Sequence, residues 1–498
     1  MITTHIRFER VLPAWCSGLF TALAMGLTSA SGTVAAQGAE GDGSTSRTTA
    51  ANDTTTRSTP PPAGDFSADI EARKKYGVPA LEIIGFDLLV NAVNRYASGS
   101  DDYKSNLSTI KRNLRSSWGV DNDPFRINQL GHPYQGSMYH GFARSSGLSF
   151  WESFAYTFAG SAAWEIAGEK TRPSGNDQVA SGIGGTFLGE ALFRMASLVL
   201  ENKSTPSFWR EASAAAISPS TGFNRLVFGH RDETIFSSRG AEYYSRLNVG
   251  YSRSAEDDAG LSSTPIKRNE AQAEFAIDYG LPGKPGYEYT RPFDHFNFQA
   301  TASSASTFEN VLTRGSLFAR GYEIGRNYRG VLGLYGSYDY IAPQTFRVSS
   351  TALSLGTTGQ YRASDAITMQ GSALLGAGYA AVGTVRSTDE RDYHYGVAPQ
   401  GLLAFRMIYA NKFSLDLTGR EYFVSRVAAA DRGGHENIAR LDASLTMRIN
   451  GPHAISIKYL GNRRDASYPD IGSRKQTRAT IGVFYTLLGH DQFGAVEW

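Results

Sequence analysis

The sequence predicts an α+β protein in which an N-terminal helical domain, residues 77–229, precedes an antiparallel transmembrane β-barrel of about twelve strands at 230–498. Three observations lead there. Apolar residues recur at helical spacing through the first half, the period drops to two from about Tyr243 onward, and the uncharged apolar stretches 153–164 and 178–189 are shorter than the ~20 residues a membrane-crossing helix needs.

The first 36 residues read as a secretory signal: Arg7 and Arg10 precede an uncharged apolar stretch from Val11 to Leu27, and Val34-Ala35-Ala36 offers a cleavage site. An N-terminal membrane anchor is the alternative reading. Cys16 lies inside the apolar stretch, which argues against a lipoprotein, and it is the chain's one cysteine, so cleavage removes disulfide, thiolate and cysteine–metal chemistry together. Residues 37–76 begin with a run rich in Ser, Thr, Gly and Pro that buries too little to offset its ordering entropy, and they are read as a disordered tether.

Within 77–229, Leu81, Ile84, Leu88, Leu89 and Val93 mark a helix over 79–96. Segments 149–169, 176–202 and 206–216 carry similar stripes, and Gly185-x-x-x-Gly189 would let two helices approach closely. So much helix exceeds what a twelve-strand lumen can hold, so the domain is expected on the periplasmic side, at the barrel mouth.

In the second half, Ala271, Ala273, Phe275, Ile277 and Tyr279 alternate with mostly polar residues. So do Leu441 to Ile449 and Ala479 to Leu487, each offering one apolar and one polar wall. Further segments start near Phe293, Asn310, Arg329, Phe346, Asp365, Tyr393, Phe413 and His453, separated by breakers such as Asn450-Gly451-Pro452. A soluble sandwich is the alternative to a barrel. The terminal Trp498 suits a barrel handed to the insertion machinery by an aromatic-ended last strand. With 49 basic against 47 acidic residues and no dense basic run, nucleic acid is not expected as a partner. The expected partners are the outer-membrane bilayer and a lipid or lipopolysaccharide.

Chemistry concentrates between Asn128 and Asp177: His132-Pro133-Tyr134-Gln135-Gly136-Ser137-Met138-Tyr139-His140, Arg144, Trp164-Glu165, Glu169 and Pro173-Ser174-Gly175-Asn176-Asp177. This pattern resembles a family of bacterial outer-membrane proteins catalogued as a domain of unknown function. The resemblance covers Pro79 to Gly229, touches the barrel in outline, and implies no particular activity. The chain is also similar, more distantly, to the VanZ-like envelope family at His132, Glu165, Ser174, Asp177, Gly184 and Gly185, although Asn128-Gln129 stands where that family has Asp-Lys.

Read on their own chemistry, His132, Glu165, Glu169 and Asp177 could converge at one end of a bundle, to hold a divalent metal or to move protons on a lipid headgroup. The structural alternative makes Ser174 and Asp177 helix caps, His132-Pro133 a helix start, and Arg144 a lock on Glu165 or Glu169. The candidate set is His132, Tyr139, His140, Arg144, Glu165, Glu169, Ser174 and Asp177, with no metal, cofactor or catalytic assignment. The functional expectation is a non-enzymatic pore or envelope-component binder whose helices plug or gate the periplasmic mouth. A lipid-directed membrane enzyme and an envelope scaffold are the alternatives.

Overall fold

The computed structural model describes residues 74–97, 101–121, 123–202, 205–229, 236–259, 266–343, 346–384, 391, 393–426, 434–468, 472–490 and 492–498. The signal segment, the tether up to residue 73 and His230 lie outside the described residues.

The described helices are α1 (Gly77–Ala97), α2 (Leu107–Asn113), α3 (His132–Ser145), α4 (Phe150–Ala163), α5 (Gly185–Glu201), α6 (Ser207–Ile217) and α7 (Pro219–Phe228). Ser149 and Glu152 close a capping box on α4, and Pro133, which has no N–H to donate, follows a π-helical turn that leads into α3. Three π-helical turns join these elements: Ile127–Gly131 runs into α3, Trp164–Gly168 extends α4, and Gln178–Gly184 joins Gly175–Asp177 to α5.

Twelve strands follow: β1 (Tyr243–Ala259), β2 (Ile266–Tyr279), β3 (Phe296–Ser303), β4 (Asn310–Ile324), β5 (Tyr328–Ile341), β6 (Phe346–Arg362), β7 (Ile367–Thr384), β8 (Tyr393–Tyr409), β9 (Phe413–Arg426), β10 (His435–Asn450), β11 (His453–Tyr468) and β12 (Gly472–Leu488). Each pairs antiparallel with its sequence neighbours, and β1 closes on β12. Side-chain alternation gives the wall two chemistries. Ile455, Ile457, Tyr459, Ile481, Val483 and Tyr485 point outward and are exposed, while Ser456, Lys458, Arg478, Thr480 and Thr486 point inward and are buried. An apolar outer belt around a polar interior is the transmembrane pattern. The rim where β1 starts and β12 ends also carries the short turns β4–β5, β6–β7, β8–β9 and β10–β11. It is the turn rim, and the opposite one is the loop rim.

The helices pack on the outside of this wall. Phe275, Ala300, Val311, Tyr340, Ala381 and Tyr395 are buried in one core with Phe187, Leu188, Leu192 and Met195 of α5. On β5, Tyr338 and Tyr340 share the parity of the exposed Leu332, whereas Asp339 of the opposite parity meets Tyr422 inside the lumen. The helical layer therefore lies over the lipid-facing side of β2 to β8, not at the mouth where the sequence reading put it. Volume excludes the helices from the lumen, and the wall offers an apolar surface that a water-filled mouth does not.

The run from Gly175 to Glu201 crosses the wall from rim to rim. Asn176 Nδ2 donates to Tyr395 Oη at 2.7 Å near the start of β8, on the loop rim. Gly184 lies beside Tyr338 and Thr351, Phe187 rests on Gly336, and Arg194 pairs with Asp294 at 3.0 Å in the β2–β3 connection. Glu201 accepts from the Ser238 N–H just before β1. Its 27 residues, with mean hydropathy 1.4, make it long and apolar enough to cross a membrane, as is Gly77–Tyr96. This corrects the expectation that no later segment qualifies: Glu190 and Arg194, which break the apolar run in sequence, pair with each other at 2.8 Å. Close packing of α5 on α3 rests on glycine, since a Cβ at Gly185 would stand 2.7 Å from Gly136 Cα and one at Gly189 2.8 Å from His140 Cβ.

Inside the barrel, the turn-rim mouth is filled by the segment after β12. Gln360 Nε2 donates to the Val496 carbonyl at 2.6 Å, the Val496 N–H returns to Gln360 Oε1 at 3.0 Å, and Gln370 donates to the Gly494 carbonyl at 2.7 Å. Phe493 and Val496 pack with Tyr244, Leu281, Ile408, Ala454 and Leu488. Trp498 is stacked under Arg329 and Arg362, ten residues past the end of β12. Trp498 therefore lies beyond the last strand, at the turn rim.

Candidate functional site

The eight residues singled out from the sequence fall into three separate groups in the helical layer. The first is an ion-pair chain between α3 and α5. Glu190 is fully buried and accepts from Arg144 Nε and Arg194 Nε, each at 2.8 Å, with His140 Nε2 at 3.0 Å. Arg194 continues the chain to Asp294, which also holds Arg239 at 2.6 Å and Arg291 at 3.1 Å. Arg144 thus locks onto Glu190, not onto Glu165 or Glu169. Phe236 lies against Arg144, Arg194 and Arg291 at 4.2–5.2 Å from its ring centre. These groups tie the layer to the barrel and leave Glu190 no vacant oxygen.

The second group is small. Tyr139 donates to Asp87 of α1 and accepts from Gln135 at 2.5 Å, fastening α1 to α3.

The third group, at the loop rim, unites His132, Glu165, Glu169, Ser174 and Asp177 with residues that the sequence did not flag. Its frame is built by the three π-helical turns, a local geometry that recurs at functional sites. The Ser174 N–H donates to Glu165 Oε2 at 2.8 Å, and Ser174 Oγ caps the next helix by accepting from the Asp177 N–H at 3.2 Å. Asn176 Nδ2 donates to Asp121 and Asp177, each at 3.0 Å, and Asn128 Nδ2 donates to Asp121 at 2.6 Å and Tyr393 Oη at 2.9 Å. Trp164 Nε1 donates to Glu169 at 2.9 Å. The barrel closes the group: Tyr395 Oη accepts hydrogen bonds from the Asn176, Gln129 and Asn128 side-chain amides, and Tyr338 donates to the Gln129 carbonyl.

Burial and mutual repulsion raise the pKa values of these carboxyls. Glu165 is pushed well above the ordinary carboxyl range by burial and then by the charge of Glu169. Burial, with Asp123 nearby, raises Glu169 to about 7, and burial with Asp121 raises Asp123 to about 6. Burial lowers the pKa of the His132 imidazole. Three buried atoms here have no protein partner: Asn128 Oδ1, His132 Nδ1 and Glu165 Oε1. The group is rich in hydrogen-bonding capacity and poor in positive charge. Among the described residues no set of three or more His, Cys, Asp or Glu is placed to hold a metal ion.

Sequence reasoning placed Asn128 and Asn176 in the polar cluster without a role, and missed Asp121, Tyr393 and Tyr395 as members of this group and Glu190, Arg194 and Asp294 in the first. Glu190 and Arg194 carried a usable signal, opposite charges four residues apart inside an apolar run. The tyrosines carried none.

No curated protein sequence matches the chain. Among solved structures, the NanC porin matches at 9% identity and a TM-score of 0.23, over 47% of this chain and 98% of that one. The KdgM porin gives 8%, 0.20, 48% and 98%, and the outer-membrane channel DcaP of Acinetobacter baumannii gives 9%, 0.22, 50% and 99%. Agreement at that level carries no functional weight. Residues 117–220, the stretch that holds His132, the Trp164–Glu165 pair, Ser174 and Asp177, match the family described as Domain of unknown function (DUF3943).

Proposed function

We propose that the chain is an outer-membrane barrel serving as wall and anchor for a bilayer-crossing helical flank, and that this flank binds an amphiphilic envelope component. One observation carries the reading: the helices bury their apolar faces against the lipid-facing wall, while Leu81, Ile84, Leu88, Leu89 and Val93 on the far side of α1 remain exposed. Such a surface is costly in water and free in hydrocarbon. In bacterial barrels short turns face the periplasm. That orientation sets the His132–Glu165–Asp177 group at the outer headgroup level, where a lipid or lipopolysaccharide would present a donor to Asn128 Oδ1 and an acceptor to the protonated Glu165 Oε1.

The test is native mass spectrometry of the protein extracted in mild detergent. A bound amphiphile is expected on the wild type and is expected to be lost from Glu165→Gln and His132→Ala while the barrel stays folded. A wild type that carries nothing, or variants that keep their cargo, refutes the reading.

A second reading is favoured by the turn-rim segment. Residues 492–498 fill the mouth through a few hydrogen bonds to Gln360 and Gln370, so the barrel would be a channel gated by its own tail.

A further inference from the structure

The inward faces of β4, β9 and β10 bear three arginines that the ion pairs of the lumen leave out. Elsewhere the interior is charge-matched: Arg478 meets Glu270 and Glu309 at 3.2 Å, Arg464 meets Glu436 at 2.6 Å, Lys458 meets Glu274 at 2.6 Å, and Arg246 and Arg406 share Asp416 at 3.3 and 2.5 Å. Arg314, Arg420 and Arg440 pair with no carboxylate among the described residues. Arg420 and Arg440 stand directly opposite each other in the β9–β10 register, and like charges in that position repel.

Of the acceptors around them, Asp278 and Asp416 are taken by Arg246 and Arg406. Arg440 Nη1 donates to Asn310 Oδ1 at 3.3 Å and to Asn462 Oδ1 at 3.2 Å, which fixes both amides with their NH₂ groups turned away. Four donor atoms here are left without a protein partner, Arg440 Nε, Asn310 Nδ2, Asn462 Nδ2 and, across the lumen, Arg314 Nε, as are Ser252 Oγ and His295 Nε2 on the same cavity walls. Arg314 and Arg420 line a cavity of about 160 Å³, and Arg440 and Asn310 line a smaller one of about 20 Å³, with Asp442 bordering both. The larger space holds about ten water-sized volumes. Asp339 and Asp442 also face it, the first engaged by Tyr422 at 2.7 Å and the second 4.0 Å from Lys458. An inward apolar layer containing Phe346, Val382 and Ile438 lies toward the loop rim, and the 492–498 segment lies toward the turn rim.

We infer that this chamber is a binding site for a small oxyanion, phosphate or carboxylate in chemistry, held by Arg420 with Arg314 opposite and backed by Arg440 in the adjoining smaller space. An anion bound to Arg420 offsets that residue's repulsion with Arg440 through charge-assisted hydrogen bonds and gives the unpartnered Arg314 Nε an acceptor. The inference is independent of what the helical flank binds.

The experiment is calorimetric titration of inorganic phosphate into the full chain in detergent micelles, against chloride at matched ionic strength. The protein is refolded with phosphate and then exchanged, so that access through the filled mouth does not limit occupancy. One saturable site is expected, weakened about 10- to 100-fold in Arg420→Gln. Arg420→Gln also removes the like-charge pair, so in chloride alone it is expected to unfold at a temperature no lower than the wild type, whereas with phosphate the wild type regains the advantage. Absence of saturable phosphate binding by the wild type overturns the inference, as does undiminished binding by both Arg420→Gln and the Arg420→Gln/Arg440→Gln pair.

Discussion

At Glu190 three side chains from two helices, α3 and α5, depend on one carboxylate. It is fully buried, and its two oxygens serve Arg144, Arg194 and His140. Replacement by Gln keeps the shape but leaves two buried guanidiniums short of a counter-charge, a change that typically costs about 3–5 kcal/mol. Urea unfolding in micelles is expected to show that loss for Glu190→Gln, with helix signal falling before strand signal. Glu169 makes the opposite kind of prediction. Its pKa rises from 4.5 to about 7 on folding, so between those values the native state holds more protons than the unfolded one. Stability of the helical flank therefore falls as pH rises from about 4.5 to 7 and is level above that. Glu169→Gln is expected to flatten the slope, and an unchanged pH profile would remove Glu169 as its source. Of these residues the sequence disclosed the motif members and misassigned their partners. Arg144 and Glu165 are close in the chain, whereas the true pairing of Arg144 with Glu190 depends on the glycine contact between α3 and α5, which spacing does not reveal.

Strands were the legible elements. Period-two alternation survives wherever one face meets lipid and the other polar side chains, and the starts expected near Asn310, Phe346, Tyr393, Phe413 and His453 are where β4, β6, β8, β9 and β11 begin. Helix α3 was harder to see because Gly136, Gly141 and its serines and histidines interrupt any apolar stripe; the helix is buried nearly all round. The segment after β12 was illegible, since ten residues without periodicity read as a trailing end. Its seat yields a prediction for the element. Removing residues 492–498 strips Gln360 and Gln370 of their backbone partners and takes Phe493 and Val496 out of the turn-rim core. In planar bilayers the truncated protein is expected to show discrete steps that the full chain lacks. Silence from both would mean that the apolar layer around Phe346 and Ile438 also closes the lumen, and the tail-gated reading would fall.

For the molecule as a whole, residue spacing does not distinguish a helical mass beside the wall from one beneath the mouth. The outward aromatics that bind the helices, Phe275, Tyr340 and Tyr395, look in sequence like any residue turned to lipid. The proposed placement in the bilayer can be measured directly. A nitroxide at Leu88→Cys, a position 67% exposed on the outer side of α1, should be relaxed more by oxygen than by a water-soluble nickel chelate. The reverse ranking would return the flank to the periplasm.

The Glu190–Arg194 pair has one more consequence, which concerns the journey and not the destination. A chain exported to an outer membrane first threads an inner one, and a 27-residue apolar helix is at risk of being retained there. A charged residue near the middle of such a segment costs about 2.5–3.5 kcal/mol of insertion on the translocon scale. Glu190 and Arg194 lie near the centre of Gly175–Glu201, and before folding neither has met Arg144 or Asp294. Unpaired, they count as two charges and let the segment pass. Paired in the finished protein, they fasten the same helix to its wall.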